Sequence, residues 1–304
     1  MKLLLGNVVK KKILMFTLVP ICLILLVGLT GYVWSSVRMN RSYSIEARPI
    51  NIPGDATAVE RGRRIAVGVT KCVDCHGSDM GGLIVVDDPA LGLFAGPNLT
   101  PGKSGVLDGY SDAELARAIR YGVRRDGTPI KFMPAGEFTH LSDSDTADLI
   151  AFLRALPPVD RVLPESSVGP LARFLYVAGE LPMLTAVENL DLSMKQPENV
   201  VRAATEEYGK YLIATGGCNG CHGMELKGGH VPGTPPDHPD FPPATNIRQS
   251  GVVNGWTEAD FIKTMRTGIR PNGVPIHPFM PYKAVATLAD DDLKALWKAL
   301  VTYK

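Results

Sequence analysis

The hydrophobic pattern divides the chain into two unequal parts. From Ile13 to Trp34 there are 22 consecutive residues without a charge, preceded by Lys10, Lys11 and Lys12 and followed by Arg38 and Arg41. At about 1.5 Å per residue such a helix reaches roughly 33 Å, enough to cross a hydrocarbon core. A cleaved signal peptide has an apolar region of about 7–15 residues and a small-x-small cleavage site, and Gly31-Tyr32-Val33-Trp34-Ser35-Ser36 offers no such site. The pattern therefore predicts a transmembrane signal anchor over 13–35, with Pro20 tolerated because membrane helices can re-satisfy the freed carbonyl. Tyr32 and Trp34 stand where an interfacial aromatic belt forms, and the three lysines favour an inside position for residues 1–12. The remainder is expected outside, on the periplasmic face of a bacterial inner membrane.

Beyond residue 55 the pattern becomes that of short amphipathic helices. Helical stretches are expected over Ala58–Val67 and Thr205–Ile213. Ser111 with Glu114 and Thr257 with Asp260 have the spacing of a capped helix start, and those helices should stop near Gly122 and Gly268. Leu149, Phe152, Leu153 and Leu156 fall at helical spacing, as do Leu293, Leu296, Trp297 and Leu300. No strand pattern of useful length appears, so the expected class is all-α.

The second part repeats itself. Cys72-Val73-Asp74-Cys75-His76-Gly77 matches Cys218-Asn219-Gly220-Cys221-His222-Gly223 at an offset of 146, and the agreement persists downstream. Tyr110-Ser111-Asp112 aligns with Trp256-Thr257-Glu258, and Gly127-Thr128-Pro129-Ile130 with Gly273-Val274-Pro275-Ile276. One inserted residue later, Phe132-Met133-Pro134 meets Phe279-Met280-Pro281. The implied organisation is a linker over 36–54, one unit over 55–158, a connector over 159–197 and a second unit over 198–304. The connector holds Pro157-Pro158 at its edge, Pro164, Pro170 and an apolar patch over Leu171–Val177. Its length suggests packing of its own, between the units, on a membrane surface or on a partner.

Charge adds little: 32 basic residues face 31 acidic ones, which gives no reason to expect a nucleic-acid partner. Cysteine adds much more. Of five cysteines, Cys22 lies in the apolar run, where it reads as a small hydrophobe. The other four form two CxxC pairs, each followed by a histidine. CxxCH is a c-type haem attachment site: two cysteines three apart can each take a haem vinyl group as a thioether, and the next residue presents an imidazole to the iron. CxxC also serves zinc and thiol redox chemistry, and one structural zinc held by Cys72, Cys75, Cys218 and Cys221 is the alternative to weigh. Zinc would leave both histidines and the repeated methionine context without a role, so two covalently bound haem c groups are expected.

A low-spin carrier needs a second axial ligand, and methionine opposite histidine raises the potential in cytochromes c. Met133 and Met280, 57 and 58 residues beyond His76 and His222, are the candidates, each within Phe-Met-Pro. Met80 and Met224 follow their histidines too closely to serve. His277, three residues before Met280 and without a counterpart in the first unit, is a rival ligand there. His230 and His238, in the proline-rich loop Gly229–Pro243, could bind a metal or a partner or simply be solvated.

CVDCHG with FMP, and CNGCHG with FMP, resemble class I cytochrome c domains over nearly everything after residue 55. The tandem arrangement resembles the membrane-anchored multihaem cytochrome c subunits of alcohol, aldehyde or gluconate dehydrogenases. That resemblance implies two cytochrome c-like domains in tandem behind one amino-terminal transmembrane helix, with the first and last helices of each domain crossing. It also implies that Gly96-Pro97-Asn98-Leu99 and Ala244-Thr245-Asn246-Ile247 line the haem. With both irons doubly ligated, no open site remains for substrate. The expected role is then outer-sphere transfer of single electrons between a respiratory dehydrogenase or quinol-oxidising complex and a terminal acceptor, without catalysis by the chain itself. A cytochrome subunit of a haem-copper oxidase and a dihaem peroxidase-like enzyme are the alternatives.

Overall fold

The computed structural model describes residues 16–303 and continues the backbone of the first helix, α1 (Lys2–Met39), toward its amino terminus. Lys10, Lys11 and Lys12, which favour an inside amino terminus, lie outside the described residues, as does Ile13 at the start of the apolar run. From Phe16 to Met39, α1 has a mean hydropathy of 2.3 with none of its apolar window buried in the protein, and it passes Pro20 unbroken. By length and composition this is a candidate membrane span.

The rest is mostly helical. In the first half come α2 (Ala56–Arg64), α3 (Val73–His76), α4 (Asp112–Tyr121), α5 (Ala135–Phe138) and α6 (Asp143–Arg154). After α7 (Pro170–Ala178) the second half has α8 (Glu206–Thr215), α9 (Cys218–His222), α10 (Glu258–Thr267), α11 (Tyr282–Val285) and α12 (Asp290–Thr302). The capping chemistry read from the sequence is present: Ser111 with Glu114 and Thr257 with Asp260 form capping boxes, and Gly122 and Gly268 close α4 and α10 in the left-handed region.

Two helix crossings organise the halves, α2 on α6 and α8 on α12. Each is set by a glycine. A Cβ on Gly62 would lie 1.9 Å from the Asp148 carbonyl oxygen, and one on Gly209 would lie 2.0 Å from that of Ala295. No side chain fits there, so only glycine lets the backbones approach this closely. Cys72 follows Gly62 by ten positions and Cys218 follows Gly209 by nine. A π-turn over Ile65–Val69, closed by Thr70 N–H donating to Ile65 O (2.8 Å), takes up the additional residue.

Separate apolar clusters fill the two halves, one around Leu115, Ile119, Leu149 and Ile150, the other around Leu212, Phe261, Leu293 and Leu296. Met80, too close to His76 in sequence to serve as a ligand, is a core residue. It and Leu226, each four residues past its histidine, share positive φ (58° and 57°) and full burial.

The helical class expected from the pattern holds in outline, but one small sheet was not foreseen. A three-stranded antiparallel sheet joins β1 (Leu83–Asp88), β2 (Gly92–Gly96) and β3 (Ser167–Val168). Leu83-Ile84-Val85-Val86 favours extended backbone, but it is a continuous apolar run interrupted by a bulge between Ile84 and Val86, so it lacks the alternation that marks a strand. Asp88 then closes the turn by accepting from the amides of Ala90 and Leu91 (both 2.8 Å).

The connector packs around the base of α1. Ala172, Tyr176 and Leu184 join Met39 and Phe94 in a third apolar cluster. Arg38 pairs with Glu188 (2.6 Å) and lies over the Tyr176 ring.

The halves meet over a buried polar seam. Asp145 and Asp148 on α6 are 4% and 3% exposed. Asp148 accepts a forked pair of bonds from Arg61 (2.6 and 2.8 Å), and Arg202 reaches both carboxylates. Tyr211 on α8 donates its hydroxyl to Asp145 (2.7 Å). Val69 packs against both main clusters.

Candidate functional site

Each CxxCH segment is a single helical turn, so its two cysteines, three apart, share one face. The turn ends at Gly77 or Gly223, whose φ of 78° or 75° sends the chain back along itself. Gly82 N–H then donates to His76 O (2.7 Å), and Gly228 N–H to His222 O (2.9 Å). A Cβ on Gly82 would lie 2.8 Å from Gly96 O, and one on Gly228 would lie 2.2 Å from Ala244 O, so both returns need glycine. The returning strand of chain brings up the next loop: Leu99 N–H donates to Met80 O (2.8 Å) and Ile247 N–H to Leu226 O (3.1 Å).

These loops hold the two imidazoles. His76 Nδ1 lies 2.8 Å from Pro97 O and His222 Nδ1 lies 2.8 Å from Thr245 O. A carbonyl can only accept, so Nδ1 carries the proton in both rings and Nε2 keeps its lone pair. Burial pushes both histidines below the ordinary imidazole value, opposed in part by these hydrogen bonds. A neutral ring with its outer nitrogen fixed by a carbonyl is the form that ligates a metal.

Burial acts on the thiols in the opposite sense. Cys72, Cys218 and Cys221 are raised, and Cys75 is pushed up to about 11. Redox-active CxxC pairs work by lowering a thiol's pKa, so this environment does not suit thiol exchange. All five cysteines are free, and among the described residues no group of three or more His, Cys, Asp or Glu is placed to hold a metal. The four paired cysteines therefore do not converge into one zinc site.

Met133 and Met280 occupy matched loops. Ile130 N–H donates to Gly122 O and Ile276 N–H to Gly268 O (both 2.7 Å), pinning each loop to the end of the preceding helix. Ala135 N–H donates to Met133 O and Tyr282 N–H to Met280 O (both 2.8 Å). Both methionines are half-buried against the core of their own half. Phe132 stacks on Phe94, and Phe279 meets Phe241 edge-on. Met224 is exposed. His277 is exposed too, and its Nδ1 accepts the amide N–H of Phe279 (3.2 Å). His238 spends its Nδ1 in the same way on Asp240 N–H (3.3 Å).

Two residues beside the CxxCH segments escape a reading of the sequence. Lys71, with φ of 53°, donates its ammonium to Val69 O (2.9 Å) and across the seam to Gly216 O (2.5 Å), two residues before Cys218. The Glu137 carboxyl, from α5, covers the start of α9, where a Cβ on Gly217 would lie within 2.4 Å of it. Burial raises Glu137, and Lys71 partly offsets this. The two CxxCH segments thus share a wall built by one half against the other. Neither residue belongs to a repeated motif, and only contact between positions more than 70 apart gives them a role.

Residues 59–157 match the family described as cytochrome c. Over 275 residues the chain is 28% identical to the cytochrome c subunit of a quinone-type alcohol dehydrogenase of Gluconobacter oxydans, covering 81% of this chain and 55% of that one. It is also 28% identical over 291 residues to a nicotinate dehydrogenase subunit of Pseudomonas putida, covering 89% of this chain and 24% of that protein. A diheme cytochrome c-type protein of Cereibacter sphaeroides is 26% identical over 249 residues, covering 75% and 79%. The chain spans about half the length of the alcohol dehydrogenase subunit and a quarter of the nicotinate dehydrogenase subunit.

Proposed function

We propose, starting from a chain that carries a cytochrome c domain and resembles the cytochrome c subunits of dehydrogenases, that it is a dihaem electron carrier anchored in a membrane. Cys72 and Cys75 would hold one haem c and Cys218 and Cys221 the other. His76 with Met133, and His222 with Met280, would be the axial ligands. Haem so bound supplies a one-electron iron couple, and methionine opposite histidine favours the reduced state.

The observation that carries this reading is the repeated imidazole cradle. In both halves a CxxCH turn, a glycine return and a carbonyl acceptor fix Nδ1–H and leave Nε2 for a metal. Those residues fit a haem c: paired cysteines on one face, a neutral histidine beside them and a half-buried methionine on a pinned loop. For the second site Met280 is favoured over His277, because His277 is exposed and its Nδ1 accepts the Phe279 amide, which leaves the ring proton on Nε2. Met80, being core, is unavailable to the first.

With two protein ligands on each iron, the chain transfers electrons and does not itself transform a substrate. By likeness to the dehydrogenase subunits, the donor is a dehydrogenase, and the electrons pass on to a further acceptor. The span over 13–35 would hold residues 55–158 and 198–304, two cytochrome c domains, on the periplasmic side of the inner membrane, joined by the connector 159–197.

Covalent haem counting tests this directly. Protein purified from membranes should keep two haems through acid–acetone extraction, and Cys218→Ala with Cys221→Ala should keep one. Haem lost to the extract, or two haems on that double variant, would refute the proposal.

A further inference from the structure

The apolar patch of the connector is α7, and the structure gives it two unlike faces. One is built into the protein: Ala172 and Tyr176, four apart, are buried against the carboxyl-terminal end of α1. Arg173 is turned to the same side, with its guanidinium over the Tyr32 ring at 4.3 Å and Nη1 donating to Ser35 Oγ (3.0 Å) and Ser36 Oγ (2.9 Å). The other face consists of Leu171, Phe174 and Ala178, at the i, i+3, i+7 spacing of one helical stripe, and it is exposed. Phe174 is 68% exposed, beside a helix whose own cation has been drawn inward.

The height of this stripe along α1 is informative. Ser35 follows directly on the uncharged run Ile13–Trp34, about 33 Å along the helix axis, and so stands at the edge of a hydrocarbon core roughly 30 Å thick. Trp34 and Val37 on α1, at the level where Arg173 docks, are likewise exposed, so α1 still presents apolar surface at the height of α7. Tyr32 and Arg173 together form the amphipathic pair found where a helix leaves a bilayer: a ring in the interface and a cation bonded to hydroxyls at its edge.

We infer that α7 is an interfacial helix: its Leu171–Phe174 side is seated in the phospholipid headgroup and acyl boundary, at the level where α1 emerges. This rests on the reading of α1 as a membrane span and gives the connector its role. The anchor alone is one helix, about which everything outside could rotate or tilt. A second apolar contact, bonded to the base of the first, fixes the height and orientation of the CxxCH segments above the membrane.

Photocrosslinking of the full chain tests this. In a Cys22→Ser background, Phe174→Cys or Leu25→Cys is labelled with a benzophenone maleimide, and the protein is reconstituted into phosphatidylcholine–phosphatidylglycerol vesicles. Phospholipid adducts mapped by peptide mass are expected at both positions, with yields within a few-fold of each other. Lipid adducts at position 25 but not at 174, or a protein adduct at 174 in native membranes, would overturn the inference while leaving the span intact. No lipid adduct at either position would remove the span itself, and the inference with it.

Discussion

At the scale of single residues, the proposed second haem has two rival ligands, Met280 and His277, three positions apart. His277 accepts from the Phe279 amide and faces solvent, whereas Met280 packs against the core of its half. Met280→Ala is expected to abolish the weak sulfur-to-iron charge-transfer band of one haem while His277→Ala leaves the absorption spectrum unchanged. The reverse pattern would transfer the ligand role to the histidine. The paired cysteines and their histidines were legible in the sequence because the motif is contiguous and the chemistry local. The methionines were legible only because the chain repeats, which separates Phe-Met-Pro from the other methionines. Lys71 and Glu137 were not, since a lysine before a cysteine and a glutamate after a proline-bounded loop have no meaning until α5 and α9 are brought together.

At the scale of elements, the two glycine crossings carry the most weight. Gly209→Val would drive a branched side chain into the Ala295 carbonyl, and overpacking of this kind costs roughly 3 kcal/mol at a site where backbone must move. Urea unfolding of the variant should show a loss of that size. A loss below about 1 kcal/mol would mean that α8 and α12 can part freely. The capped helices were readable because Ser111–Glu114 and Thr257–Asp260 act within four residues of chain. The sheet was hidden for the opposite reason: β3 is two residues long and finds β2 only through a return of some 70 positions, so nothing local announces it. The π-turn was equally silent, since an insertion of one residue between Gly62 and Cys72 can be absorbed in many ways.

At the scale of the whole molecule, the polar seam and Val69, which packs on both cores, tie the two halves together. Arg202 lies between Asp145 and Asp148, both buried, and Arg202→Ala would leave Asp145 without a cationic partner. Breaking a buried pair from one side costs about 3–5 kcal/mol. The expected result is a denaturation curve that separates into two transitions, because each core survives while the link fails; a single unshifted transition would show that the seam contributes nothing. The same seam places the backbone before Cys218 on the ammonium of Lys71, one residue before Cys72. Charges held at such close quarters behind a common low-dielectric partition cannot be added independently. With the proposed haem on each CxxCH segment, an electron resting on one side would repel the next arrival on the other, so the pair would fill in two unequal steps and pass its charge onward singly instead of storing two.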